Sequence, residues 1–137
     1  MHNETKAINT TLAPAAIGSY SQAVRINETV YLSGQIGINP ETPGQLVGPD
    51  LKSQLYQVFD NIKAVCEAAG GSMSNIIKLT IYVIDLEEFP LINDVMSRYF
   101  NAPYPARATV QVSRLPKNAL IEIDGIMILN SHWDLGV

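Results

Sequence analysis

The stretch PYPARATVQVSRLPKNALIEIDGIMIL, residues 103–129, decides how the rest of the chain is read. It contains two strand-like runs, and each carries a formal charge where alternation calls for a half-buried face: Arg107 in the first and Glu122 in the second. Counted by twos, Ala106, Ala108, Val110 and Val112 line one face of the first run, and Arg107, Thr109, Gln111 and Ser113 line the other. In the second run, Ile121, Ile123, Met127 and Leu129 share a face, with Leu120, Glu122 and Asp124 opposite. A hairpin closing on Arg114 to Lys117 would set Thr109 opposite Glu122, with Arg107 one diagonal step away, roughly 7–8 Å. One guanidinium, one hydroxyl and one carboxylate would then share a face. The register is an expectation, because a slip of one residue turns one set to the other side of the sheet.

A chain of 137 residues suits a single domain, 1–137, large enough for a real core. A net charge of -4 at pH 7 argues against a binder of phosphate backbones, so nucleic acid is a poor candidate partner. The lone cysteine, Cys66, excludes an internal disulfide, and the polar start MHNETK lacks the apolar core of a signal peptide. These features point to a soluble cytoplasmic protein. The apolar run Ile76–Ile84 is nine residues long and broken by Lys78, which is too short to span a bilayer, so no membrane partner is expected. His2 and His132 lie near opposite ends without ligand spacing, and no metal is assigned.

Residues 5 to 12 read as a polar edge strand or an arm, followed by a loop around Pro14 and Gly18. Two strands flank Asn27 and Glu28 as in a tight hairpin, and Ser33-Gly34 in the second marks a bulge or a close backbone approach. Residues 39–45 form a surface loop. A helix follows over about 50 to 69: Asp50 is the N-cap, Leu51, Leu55, Val58, Ile62, Val65 and Ala69 form its apolar stripe, and Gly70-Gly71 ends it. Ile76 to Ile84 reads as a central strand buried on both faces. A second helix begins near Pro90, with Phe89, Ile92, Val95, Met96 and Tyr99 as its stripe and Asn93 about one turn in. The order β-β-β-α-β-α-β-β predicts an α+β fold: a mixed sheet with both helices packed on one face.

Each candidate residue also has a plain structural reading. Arg107 with Glu122 reads equally well as an ion pair that neutralises itself. Cys66 reads as a buried, inert thiol. Tyr20 could cap the core with its ring, and Ser33 could satisfy the backbone of a bulge. Glu87 and Glu88 suit a helix start. From the residues alone the chain is a small α+β domain suited to ligand binding.

APAAIGSYSQAV, YLSGQIGINP and above all YPARATVQVSRLPKNALIEI resemble the RidA (reactive intermediate deaminase, YjgF-type) family, in the family's order and spacing from about Leu12 to Leu129. The resemblance implies a chorismate-mutase-like fold, assembled as a homotrimer with ligand clefts between subunits. It also implies hydrolysis of 2-imino acids or their enamine tautomers, such as 2-iminobutanoate and 2-iminopropanoate, to 2-keto acids and ammonia. No cofactor is implied, and the role would be control of metabolite damage. By position, Arg107 matches the family's carboxylate-binding arginine, Glu122 its catalytic carboxylate and Tyr20 its site tyrosine. Ser33 beside Gly34 matches its loop serine, and Asn93 its helix asparagine. Two departures stand out: Ser19 replaces a proline often found before the tyrosine, and Thr109 replaces a common cysteine. The threonine leaves a small hydroxyl among the substrate-binding positions. A non-catalytic small-carboxylate binder would use Arg107 in the same way. An RNA-cleaving activity fits poorly with the acidic balance. The tail 130–137 lies past the resemblance, and Trp133 is expected to pack on a surface.

Overall fold

In a computed structural model, residues 4–129 are described. Six strands form one sheet: β1 Lys6–Ile8, β2 Ala23–Ile26, β3 Thr29–Gln35, β4 Ile76–Val83, β5 Ala106–Gln111 and β6 Ile121–Ile128. Two α-helices, α1 Leu51–Ala68 and α2 Phe89–Met96, are interleaved with them in the expected order. The sheet runs β1-β2-β3-β6-β4-β5, antiparallel except for the parallel pair β4–β5.

Local chemistry sets the elements much as the sequence suggests. The Asp50 carboxylate accepts from Ser53 N at 2.9 Å and caps the start of α1. At the other end, Gly70 has φ 95°, Gly70 N donates to Glu67 O, and Gly71 N donates to Cys66 O. This pair of bonds is a Schellman ending, which needs the left-handed conformation that glycine adopts without strain. Leu51, Leu55, Val58, Phe59, Ile62, Val65 and Cys66 of α1 are buried against Val30, Leu32, Leu79, Ile81, Ile121, Ile123 and Met127 of the sheet. Ile92, Val95 and Met96 of α2 join the same cluster, so both helices cover one face. Burial pushes the Cys66 thiol up to about 12, which leaves it inert.

Two expectations are corrected. The strands carrying Arg107 and Glu122 do not form a hairpin, because β4 lies between them, with Leu79 paired to Arg107 and Tyr82 to Glu122. The β4–α2–β5 crossover lays β5 parallel to β4 on its outer side, which leaves β6 to enter antiparallel between β3 and β4. The connecting residues pass over the end of β4 instead of turning back: Val112 N donates to Val83 O, and Ile84 N donates to Leu120 O. The second correction concerns β4, which is not buried on both faces. Ile76, Leu79, Ile81 and Val83 are buried, whereas Ile77 and Lys78 are exposed and Thr80 and Tyr82 half-buried. Among the described residues no helix packs on the other face of the sheet, which is open there.

Candidate active site

Strand register divides the candidate residues into two groups. Arg107 pairs with Leu79 and Thr109 with Ile81, so both point to the helix side, where Leu79 and Ile81 are fully buried. Glu122 alternates with the fully buried Ile121 and Ile123 and pairs with Tyr82, so it points to the open face. Arg107 and Glu122 therefore do not form an ion pair within the chain, and the shared face of guanidinium, hydroxyl and carboxylate expected from a hairpin is replaced by two half-sites.

The first half-site is built on α2. The Arg107 guanidinium donates from Nη1 to Asn93 Oδ1 at 2.7 Å and to the Met96 sulfur at 3.2 Å, and its carbon sits 4.8 Å from the centroid of the Phe89 ring. All three neighbours are neutral, and no carboxylate among the described residues pairs with Arg107. A cleft of about 400 Å³ opens beside it, lined by Asn93, Met96, Ser97, Tyr104, Pro105 and Arg107. Thr109, next along this face of β5, holds its hydroxyl oxygen buried without a hydrogen-bond partner among the described residues. An uncompensated guanidinium with free donors at a cleft suits a planar carboxylate, which it can take through two parallel bonds.

The second half-site gathers at the bulge of β3, which the register places between Leu32 and Gln35. A Cβ placed on Gly34 would lie 2.9 Å from Glu122 Cδ, so the carboxylate occupies the space a side chain would fill. Burial, and secondarily the neighbouring Asp124, push the Glu122 carboxyl above the ordinary carboxylate range. Asp124 itself accepts from Tyr82 OH at 3.1 Å. The Ser33 hydroxyl donates to Ser21 O at 2.5 Å and Ser33 N donates to Gln22 O at 3.0 Å, which ties the bulge to the loop carrying Tyr20. The Ser33 hydroxyl thus serves the Ser21 carbonyl of the neighbouring loop and not the backbone of the bulge itself, and Tyr20 does not cap the core: it is 55% exposed.

Three contributors escaped the sequence reading. Phe89 and Met96 read as core stripe, yet their spacing with Asn93, i, i+4 and i+7, places all three along one side of α2. Gln22 is buried, its side-chain nitrogen 2.7 Å from Pro14 O and 3.0 Å from Thr10 O, and its oxygen accepts from Thr10 N at 2.7 Å. It braces the loop before Tyr20, and a lone glutamine carries no pattern that would reveal this. Among the described residues no three His, Cys, Asp or Glu side chains gather as metal ligands, and no helix is long and apolar enough to cross a membrane. His2, His132 and Trp133 lie outside the described residues.

A family model described as Endoribonuclease L-PSP matches residues 10–129. The chain is 49% identical over 124 residues to a 2-iminobutanoate/2-iminopropanoate deaminase of Dermatophagoides farinae, covering 90% of this chain and 96% of that protein. Among solved structures, RidA of an Antarctic Psychrobacter is 48% identical with a TM-score of 0.87, covering 90% of this chain and 99% of that one. Escherichia coli TdcF, solved with bound serine, is 42% identical with a TM-score of 0.84, covering 90% and 98%.

Proposed function

Since the chain belongs to the RidA (YjgF-type) family, we propose that it is an imine deaminase, hydrolysing 2-imino acids such as 2-iminobutanoate and 2-iminopropanoate to 2-keto acids and ammonia. The observation that carries this reading is the uncompensated Arg107 guanidinium, held by the neutral Asn93, Met96 and Phe89 at the edge of an open cleft. The deaminase activity named for the Dermatophagoides relative supports it.

Arg107 takes the substrate carboxylate and so fixes the imine carbon. Glu122 removes a proton from a water that attacks this carbon, breaking the C=N π bond and giving a tetrahedral carbinolamine. The proton passes from the Glu122 carboxyl group to the nitrogen; the carboxylate then accepts the carbinolamine hydroxyl proton and relays it to the nitrogen, the C–N bond breaks, and ammonia leaves as the C=O forms. An enamine enters the same route after its β-carbon takes up a proton. Tyr20 and Ser33 orient the water or the nitrogen, Gly34 leaves room for the Glu122 carboxylate, and Asn93 and Thr109 flank the bound carboxylate. Because imines hydrolyse in water unaided, positioning and one general base, the latter worth about 10²–10⁴-fold, suffice.

Arg107 and Glu122 face opposite sides of the sheet, so one chain does not present both to one substrate. We assign the complete site to the junction of two copies, the helix-side half from one and the open-face half from the next, in a homotrimer. The exposed Tyr31, Ile77 and Val110 give the sheet apolar surface for such contacts. A lone buried cysteine suits a reducing compartment such as the cytoplasm.

The test is direct: generate 2-iminobutanoate with a threonine dehydratase and follow 2-ketobutanoate. Wild type should accelerate its appearance and Arg107→Ala should not; equal rates would sink the assignment. TdcF with bound serine favours a second reading, a binder of small carboxylates without turnover. Tight 2-keto acid binding with no acceleration would select it. Nuclease activity that copurifies and requires Arg107 would overturn both.

A further inference from the structure

We infer that Phe89 is a positioning residue for the substrate-binding arginine, its ring forming the platform on which the Arg107 guanidinium is oriented. This inference rests on the reading of Arg107 as the carboxylate anchor.

A guanidinium directs its donors in its own plane, so two-pronged recognition of a carboxylate requires that plane to be fixed. Three contacts act on Arg107. Asn93 Oδ1 and the Met96 sulfur both take Nη1, and so anchor one corner of the plane. One corner alone leaves the group free to rotate about that point. The third contact acts on a different part of the group: the guanidinium carbon lies over the Phe89 ring, 4.8 Å from its centroid. Cation–π attraction and contact with an aromatic face restrict the remaining rotation. Nε and Nη2 have no partner among the described residues, which leaves them for a ligand.

The position of Phe89 on its own helix fits this use better than a role in the core. It is 39% exposed, while Ile92, Val95 and Met96 of the same stripe are buried. Phe89 is the first residue of α2, four before Asn93 and seven before Met96, so successive turns of one helix present ring, amide and sulfur to a single cation. None of the three carries a charge, so the guanidinium is oriented without being neutralised. An acidic residue at position 89 would orient it as well but would compete with the substrate carboxylate.

The experiment compares Phe89→Leu, Phe89→Met, Phe89→Tyr and Phe89→Trp with wild type in 2-iminobutanoate turnover, and measures 2-ketobutanoate affinity by calorimetry. Leu and Met keep apolar bulk without a π face. They are expected to raise KM and the 2-ketobutanoate Kd about 3- to 10-fold while leaving kcat within about 2-fold and Tm nearly unchanged. Tyr and Trp keep the face and should hold both constants near the wild-type values. Unchanged constants in Leu and Met, or equal losses in all four variants, overturn the platform. Should Leu and Met fail to fold, KM raised in both Tyr and Trp overturns it, and KM retained in both supports it. A wild type that binds 2-ketobutanoate without turning over the imine defeats the deaminase reading alone, since the Kd comparison still decides the role of Phe89.

Discussion

Arg107 and Glu122 stand on opposite faces of one sheet, with strand β4 between them: Arg107 pairs with the buried Leu79, and Glu122 pairs with the half-buried Tyr82. Two groups assigned to one reaction therefore point away from each other within a chain, and this separation makes the half-sites independently testable.

Arg107→Ala and Glu122→Gln should each be inactive alone. Co-expressed with different tags, mixed trimers should regain about one third of wild-type activity, because a ring of three that holds both variants has one intact site of three, whichever variant is present twice. Specific activity of the doubly tagged fraction is the measurement. A site contained in one chain would regain nothing.

Gly34→Ala should reduce kcat about 10²-fold or more with little loss of Tm, because the new methyl must displace the Glu122 carboxylate from its place against the bulge. Turnover and thermal unfolding of the purified variant check this. Wild-type kcat would mean that the carboxylate works from a different position.

The raised pKa of Glu122, caused first by burial and then by Asp124, sets the pH dependence. A general base must be ionised, so kcat/KM should fall as pH drops through the raised value, on an acid limb above the ordinary carboxylate range. Asp124→Asn should move that limb down, though only in part, since burial is the larger cause. For stability, the native state holds this proton at pH values where the unfolded chain has released it, so stability falls as pH rises through the raised value. Glu122→Gln removes this penalty and should melt higher than wild type at neutral pH, with the gain disappearing in acid. A variant less stable at neutral pH would assign the carboxylate a structural role.

Thr109→Val should separate stability from function. The Thr109 hydroxyl is buried without a partner among the described residues, and removing it from the folded chain should stabilise by up to about 1 kcal/mol in urea unfolding. If the hydroxyl meets the substrate, kcat/KM should fall about 10-fold at the same time. A variant both more stable and fully active would remove Thr109 from the site.

The sequence by itself determined the elements. Asp50 with Gly70 bounded the first helix, Asn27 the tight hairpin and Ser33-Gly34 the bulge, because capping, turn and bulge preferences act over a few residues. Alternation within β6 placed Glu122 opposite Ile121 and Ile123, and alternation within β5 placed Arg107 with Thr109, since side-chain period is a property of one strand. The family motifs brought the candidate residues into view. Tertiary structure alone decided how the strands sit beside one another. Two strands adjacent in sequence read naturally as a hairpin, but the parallel β4–α2–β5 crossover claims the outer edge of β4, so β6 enters on its other side. Pairing is a long-range choice, settled by which faces can be buried together beneath the helices, and no local pattern near Arg107 or Glu122 records it. The same long-range packing placed Phe89 and Met96 against the guanidinium and turned the two charges that began as a supposed pair to opposite sides of the sheet.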